Sequence, residues 1–272
     1  MKKLMVNADD FGLAEHINNG IIECSRNGIV TSTSIMANGE AFEHAVYLSM
    51  SNPTLAVGIH LVLVEEKPIF ASEEISSLLS ADGKFHKNYR KFVLQFLSGR
   101  IDRREIENEF RAQIEKVLQA GIQVTHIDSH QHLHIFPPIL EIVLRLAKEY
   151  DIKWIRNAKD SAMPTSLGQF GLSVLAKTGK RKILRNQMNT SDYFWGAGFS
   201  GRLTEQIMLI ILSKLPNGLS EIMCHPGESN NTPGYNHWQY NWQQEEDALM
   251  SRSVKQRVEK QGITLLSYAD LQ

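Results

Sequence analysis

Cysteine is scarce in this chain: Cys24 and Cys224 are the only two in 272 residues, far apart and without metal-finger spacing. A disulfide framework is therefore excluded as an organising device, and the composition suits a reducing cytoplasm. No run approaches the roughly 20 apolar residues needed to cross a bilayer. The start, "MKKLMVNADDFG", meets charge after three apolar positions, so neither a membrane anchor nor an export leader is expected. Net charge is −1, with both signs spread along the length, which leaves no broad field to attract a polyanion such as nucleic acid. Neither G-x-G-x-x-G nor a Walker A loop follows the first apolar segment, which removes the strongest sequence support for nucleotide binding. Internal repeats and low-complexity runs are also missing.

What is present is a rhythm. "KLMVN" precedes "EHINNGIIECSRNG", whose Ile17, Ile21 and Ile22 and terminal Gly28 suit a short helix with a glycine stop. "TSTSIMAN" precedes "EAFEHAVYLSM", and "IQVTHIDSH" precedes "PPILEIVLRLAKEY"; "LAVGIHLVLV", "IKWIRN", "GLSEIMCHPG" and "ITLLS" supply further strands. Short apolar strands alternating with amphipathic helices predict an α/β fold, a parallel sheet with helices packed outside it. Six or seven such units favour closure into a (β/α) barrel over an open sheet. With 42% hydrophobic residues the chain can fill one large core. The expectation is a single (β/α)-barrel domain over 1–272, with inserted loops near 65–91, 158–201 and 226–244.

In such a barrel the chemistry gathers at the carboxyl ends of the strands. Asp9 and Asp10 follow the first strand, His60 lies near the end of the third, "HIDSH" runs along and off the fourth, Arg156 ends the fifth, and His225 ends a late one. Each has a plain structural alternative. The aspartates suit a helix cap or turn, His60 a hydrogen-bonded core position, Arg156 an ion pair, and His225 a turn shaped by Pro226 and Gly227. Convergence of five segments on one rim is what favours function.

The stretch "HIDSHQHLH" carries His126, Asp128, His130, His132 and His134. Period-two geometry sends His126, Asp128 and His130 to one side of an extended strand. On the inward face of a buried strand such groups are costly unless paired or bound to metal; the bland alternative is a surface histidine patch.

At these residues the sequence resembles the YdjC-like carbohydrate deacetylases, which include chitooligosaccharide deacetylases. The matching pieces are "VNADDFGL" with "NGIVTSTSIMANG", then "GIHLVL", "THIDSHQHLHIFP" and "EIMCHPG". They extend over most of the chain, most poorly between about Lys159 and Ser200 and in the loop before Lys91. The resemblance implies a distorted (β/α) barrel similar to that of polysaccharide deacetylases, a homodimer, and one divalent ion held by Asp10, His60 and His130. Magnesium is the ion usually given for the family; two imidazoles and a carboxylate suit zinc, manganese or cobalt at least as well. His126, Asp128, His132 and His134 are then supporting or substrate-facing positions, Asp128 being the nearest partner by sequence for a ligating imidazole.

The implied reaction is hydrolysis of an N-acetyl group on an amino sugar or chitooligosaccharide by metal-activated water. Asp9 is expected as general base, Arg156 as the cation holding it ionised, and His225 as the acid that protonates the departing amine. "YNHWQYNW", with Trp238, suits either a sugar-stacking surface or a subunit contact. The rivals are a barrel phosphoesterase, which predicts a second metal, a deacetylase of a lipid-linked amino sugar, and a non-catalytic sugar-binding protein. The partner in every case is a small acetylated or phosphorylated sugar compound rather than nucleic acid or membrane.

Overall fold

The computed structural model describes residues 1–70, 72–162 and 167–272. Ala71 and residues 163–166, inside two of the stretches read as insertions, lie outside the described residues. Along the chain run β1 (Lys2–Phe11), α1 (Glu15–Asn27), β2 (Ser32–Ile35), α2 (Phe42–Met50), β3 (Ala56–Leu61), α3 (Tyr89–Leu97), α4 (Arg103–Gln119) and β4 (His126–Ser129). Then come α5 (Pro137–Glu149), β5 (Trp154–Ile155), α6 (Leu167–Arg185), β6 (Tyr193–Trp195), α7 (Glu205–Lys214), β7 (Gly218–Cys224), α8 (Trp242–Met250), α9 (Arg252–Lys260) and β8 (Thr264–Leu265).

The strands form one parallel sheet in the order β5-β4-β3-β2-β1-β7-β6, with β8 added to β1 at Lys3 and Leu4. β1 sits centrally between β2 and β7 and is buried from Leu4 onward, which is why its sequence reads as a run rather than an alternation. The sheet curls, but its two ends meet through isolated bridges instead of a ladder. Asn189 bridges Trp154 and Phe194 bridges Asp160; Asn189 N–H donates to the Lys153 carbonyl at 2.7 Å. The result is a half-barrel with a seam, the distorted (β/α) barrel that the resemblance implies. β6 and α6 both lie in the stretch 158–201, where three strand residues were too few to show a period.

Helices cover the outside of the sheet. Ile106, Phe110, Ile114 and Val117 of α4 and Ile139, Val143 and Leu146 of α5 recur at helical spacing and are buried in the main apolar core. The inside is divided by level. At the amino ends of the strands a small cluster of Met5, Ala56, Trp154 and Tyr268 plugs the barrel. The segment after β8 delivers that plug: Tyr268 N–H donates to Ser32 Oγ at 3.2 Å, and Trp154 Nε1 donates to the Leu271 carbonyl at 3.3 Å. His126 stacks on Tyr268 with ring centroids 3.7 Å apart.

Gly58 of β3 makes room for that imidazole. A Cβ at residue 58 would stand 2.3 Å from the His126 ring, which is wedged against Tyr268 and cannot retreat. Gly58→Ala should therefore cost at least about 1–3 kcal/mol, as overpacked cores do. A urea midpoint equal to wild type would contradict it.

Candidate metal centre

The carboxyl end of β1 breaks its own register. Pairing with β2 shifts between Ala8 and Phe11, and Asp10 adopts φ 66°. In a regular strand Asp9 and Asp10 would face opposite sides; the irregularity lets both reach one network, and Asp is among the residues that tolerate the left-handed region. β3 and β4 pair His60 with Asp128, so these two side chains lie side by side on the inner face. The chain then leaves β4, and Gln131 and His132 take φ values of 52° and 55°, a kink that separates His130 from His134.

Asp10 Oδ1 lies 3.4 Å from His60 Nε2 and 3.5 Å from His130 Nδ1. One donor atom from each of the three residues lies within 4.8 Å of the others. Tetrahedral donors about 2.1 Å from an ion stand about 3.4 Å apart, so the spacing fits a shared cation. The other carboxylate oxygen, Asp10 Oδ2, is buried with no hydrogen-bond partner among the described residues. An ion would satisfy it; nothing else nearby does.

The electrostatics agree. Burial works against charge on Asp10, yet the hydrogen bond with His130 and the nearby His60 and His225 hold its carboxyl well below the usual range. Burial likewise disfavours the His130 cation, but bonds to Asp10 and Glu65 outweigh it and push the imidazole up to about 10. His60, whose Nδ1 is 2.7 Å from Asp128 Oδ1, is also raised: burial opposes the charge and Asp128 more than offsets it.

A second group, Asp9, His60 and Asp128, has the reach to hold an ion, but Arg156 already occupies it. The guanidinium donates to both oxygens of Asp9 at 2.6 and 2.7 Å, stands 2.9 Å from Asp128 Oδ2, and donates through Nε to Glu221 at 2.7 Å. All four groups are buried. One ion position, flanked by one fixed organic cation, is what the geometry offers.

Above this network opens a cavity of about 960 Å³, bordered at its polar end by Asp9, His60, His130 and His225. Val93, Leu97, Leu133, Phe136 and Leu175 line the opposite wall. His225, at the end of β7, donates its backbone N–H to the buried Glu245 at 2.6 Å and packs against Tyr240 at 4.9 Å. Burial lowers the His225 pKa against the pull of Asp10 and Asp9. Trp238 stacks on the His130 ring at 5.0 Å, which places the aromatic stretch beside the donors.

A family model described as YdjC-like protein matches residues 3–260. The chain belongs to the YdjC-like family. It is 36% identical over 271 residues to a carbohydrate deacetylase of Clostridium beijerinckii, covering 99% of this chain and 100% of that one. A carbohydrate deacetylase of Brevibacillus brevis is 38% identical over 229 residues, 82% of this chain and 81% of the relative. Among solved structures, a provisionally named cellobiose-phosphate cleavage protein of Enterococcus faecalis V583 superposes with a TM-score of 0.79 at 29% identity, covering 99% and 98% of the two chains.

In this YdjC-like chain the five histidine-stretch positions meet different fates. Asp128 partners His60, whereas His130 is partnered by Glu65, a residue the sequence reading left in the loop after β3. His132 lines the cavity. His134 is buried between Ser129 Oγ (2.6 Å) and the Arg156 carbonyl (3.0 Å), bracing the backbone that carries Arg156. His126 faces the plug of the barrel rather than the mouth. Glu221 and Glu245 were also missed, although Glu221 had a visible signal, a charge inside an apolar strand that had to be paired, whereas Tyr240 falls in the aromatic stretch singled out above.

Burial pushes His126 down to about 3 and His134 down to about 4. Both fall below the unfolded value near 6.5, so each favours the native state fully above pH 6.5 and loses that contribution as pH falls towards 3 to 4. His126→Phe, which keeps the stack on Tyr268, should flatten the decline of stability between pH 6.5 and 4. Parallel urea midpoints for variant and wild type across that window would refute the assignment.

Proposed function

We propose that this chain is a metal-dependent carbohydrate deacetylase that removes an N-acetyl group from an amino sugar or chitooligosaccharide. The observation that carries the reading is the convergence of Asp10, His60 and His130 beside an Arg156-clamped Asp9 at the floor of one cavity. The names of the two deacetylase relatives point to the same chemistry.

An ion held by Asp10, His60 and His130 would supply Lewis acidity, polarising the amide carbonyl and lowering the pKa of water. Two imidazoles and one carboxylate favour zinc, manganese or cobalt over magnesium. The remaining work falls to the chain. Asp9 borders the cavity as the base, and the bidentate Arg156 fixes its orientation. His225, buried after β7 and bordering the cavity, is the group placed to protonate the leaving amine. Trp238, packed on His130, offers an aromatic face for the apolar side of a pyranose.

A phosphoesterase with two ions is less well supported, since Arg156 fills the second group of donors. The reading also takes the protein to be a cytoplasmic homodimer; exposed Leu94, Leu97 and Phe170 supply apolar surface for a contact between copies. Among the described residues no helix is long and apolar enough to cross a membrane.

Acetate release from N-acetylglucosamine, chitobiose and their phosphates should be abolished by chelator and restored by added metal. Asp9→Asn should keep the ion and lose about 10²- to 10⁴-fold in kcat, whereas His130→Ala should lose the ion. An Asp9→Asn enzyme of near-normal rate would remove the base assignment, and chelator-insensitive release would remove the metal.

A further inference from the structure

His60 and His130 present different ring nitrogens to Asp10, Nε2 from the first and Nδ1 from the second. Each ring therefore leaves its other nitrogen free for an orienting partner, and in each the partner is a carboxylate. For His60 it is Asp128; for His130 it is Glu65, whose Oε2 lies 3.0 Å from His130 Nε2. A carboxylate only accepts, so with an ion held at the site the bond to Glu65 would keep the one ring proton on Nε2 and leave the Nδ1 lone pair for the ion.

Glu65 reaches this position at a cost. Its φ of 70° lies in the left-handed region, where glycine would sit without strain. The surrounding backbone holds it there: Glu65 N–H donates to the His86 carbonyl at 2.9 Å, Glu66 N–H to the Val64 carbonyl at 2.8 Å, and Phe85 N–H to the Glu66 carbonyl at 2.9 Å. Its second oxygen is 3.5 Å from His237 Nε2, and the adjacent Glu66 accepts from Tyr235 at 2.7 Å. The pair of glutamates thus ties the His130 ring to the loop that carries Trp238.

We infer that Glu65 is the positioning residue for His130, setting its tautomer and ring orientation for the ion. The inference rests on the metal-site reading above. The side chain acts through His130 and needs no contact with the ion or with substrate. Partners of this kind are worth about 10- to 100-fold in metal affinity.

Glycine and glutamine at residue 65 separate orientation from backbone and from charge. Glu65→Gly relieves the strained φ while removing the acceptor; Glu65→Gln keeps an acceptor without the charge. The full-length protein, stripped with chelator, would be titrated calorimetrically with zinc and with manganese, and its melting temperature recorded. Expected are one ion per wild-type chain, none with His130→Ala, and about 10- to 100-fold weaker binding with Glu65→Gly at an unreduced melting temperature. Glu65→Gln should regain part of the loss. Wild-type affinity in Glu65→Gly, with the ion still lost in His130→Ala, would overturn the role of Glu65 and leave the metal site standing. A lowered melting temperature alongside weaker binding would overturn it in favour of a fold defect. Glutamine no better than glycine would overturn it in favour of bare charge. A wild-type chain that takes up neither ion would overturn both readings.

Discussion

The guanidinium of Arg156 is fully buried and shared among Asp9, Asp128 and Glu221, and the rest of the site is arranged around that constraint. Removing four charged groups from water is costly unless their geometry and hydrogen bonding are nearly complete. Here they are: Arg156 spends its donors on carboxylates from the paired strands β1 and β7 and from β4, which lies three strands away from β1, and so ties β4 to that pair across the inside of the barrel. The carboxylates outnumber the cation, and with Asp10 close by the floor of the cavity is left electronegative. Asp128, with Asp9 and Asp10 beside it, raises the His60 pKa against the effect of burial, and Asp10 with Glu65 does the same for His130.

Regular strands could not have built this arrangement. A strand alternates its side chains, so consecutive residues such as Asp9 and Asp10 cannot serve one point, and a long strand carries every second residue further from the mouth. The chain solves both difficulties by leaving the extended region at the strand ends. Asp10, Glu65, Gln131 and His132 all have positive φ without being glycine, Asp10 at the end of β1 and the others within four residues of the ends of β3 and β4. Backbone hydrogen bonds hold Asp10 and Glu65 in place, from Leu13 N–H to the Asp10 carbonyl and from Glu65 N–H to the His86 carbonyl, so local strain is concentrated where the donors are aimed.

This explains which parts of the molecule were legible in its sequence. The strand and helix alternation depends on apolar periodicity, which is local, and β1, β3, β4 and β7 with α1 and α5 follow it closely. Asp9, Asp10, His60, His130, Arg156 and His225 were recognisable because they stand at strand ends, where position predicts direction. The partners were not. Whether His130 is held by Asp128 or by Glu65 depends on a kink at Gln131 and His132 and on the path of a loop from β3, and neither leaves a periodic trace. The role of His126 stayed open for a related reason: it obeys the inward period, but at the amino end of β4 the inward direction leads to Tyr268 and the plug.

Two ends of one barrel thus use the same residue type in opposite ways. At the plug burial pushes the His126 pKa down, and the ring is wedged between an aromatic side chain and a glycine with Thr125 Oγ1 3.0 Å from its Nδ1. At the mouth His130 stands among carboxylates that favour its charge, and it stays polar and reactive. The layer between them is the Arg156 cluster, which separates an apolar floor from the chemistry above. The seam between β5 and β6 lies beside that layer; Arg156 directly follows β5, its backbone N–H donating to the Ile127 carbonyl of β4 at 3.0 Å while its side chain reaches inward to the carboxylates.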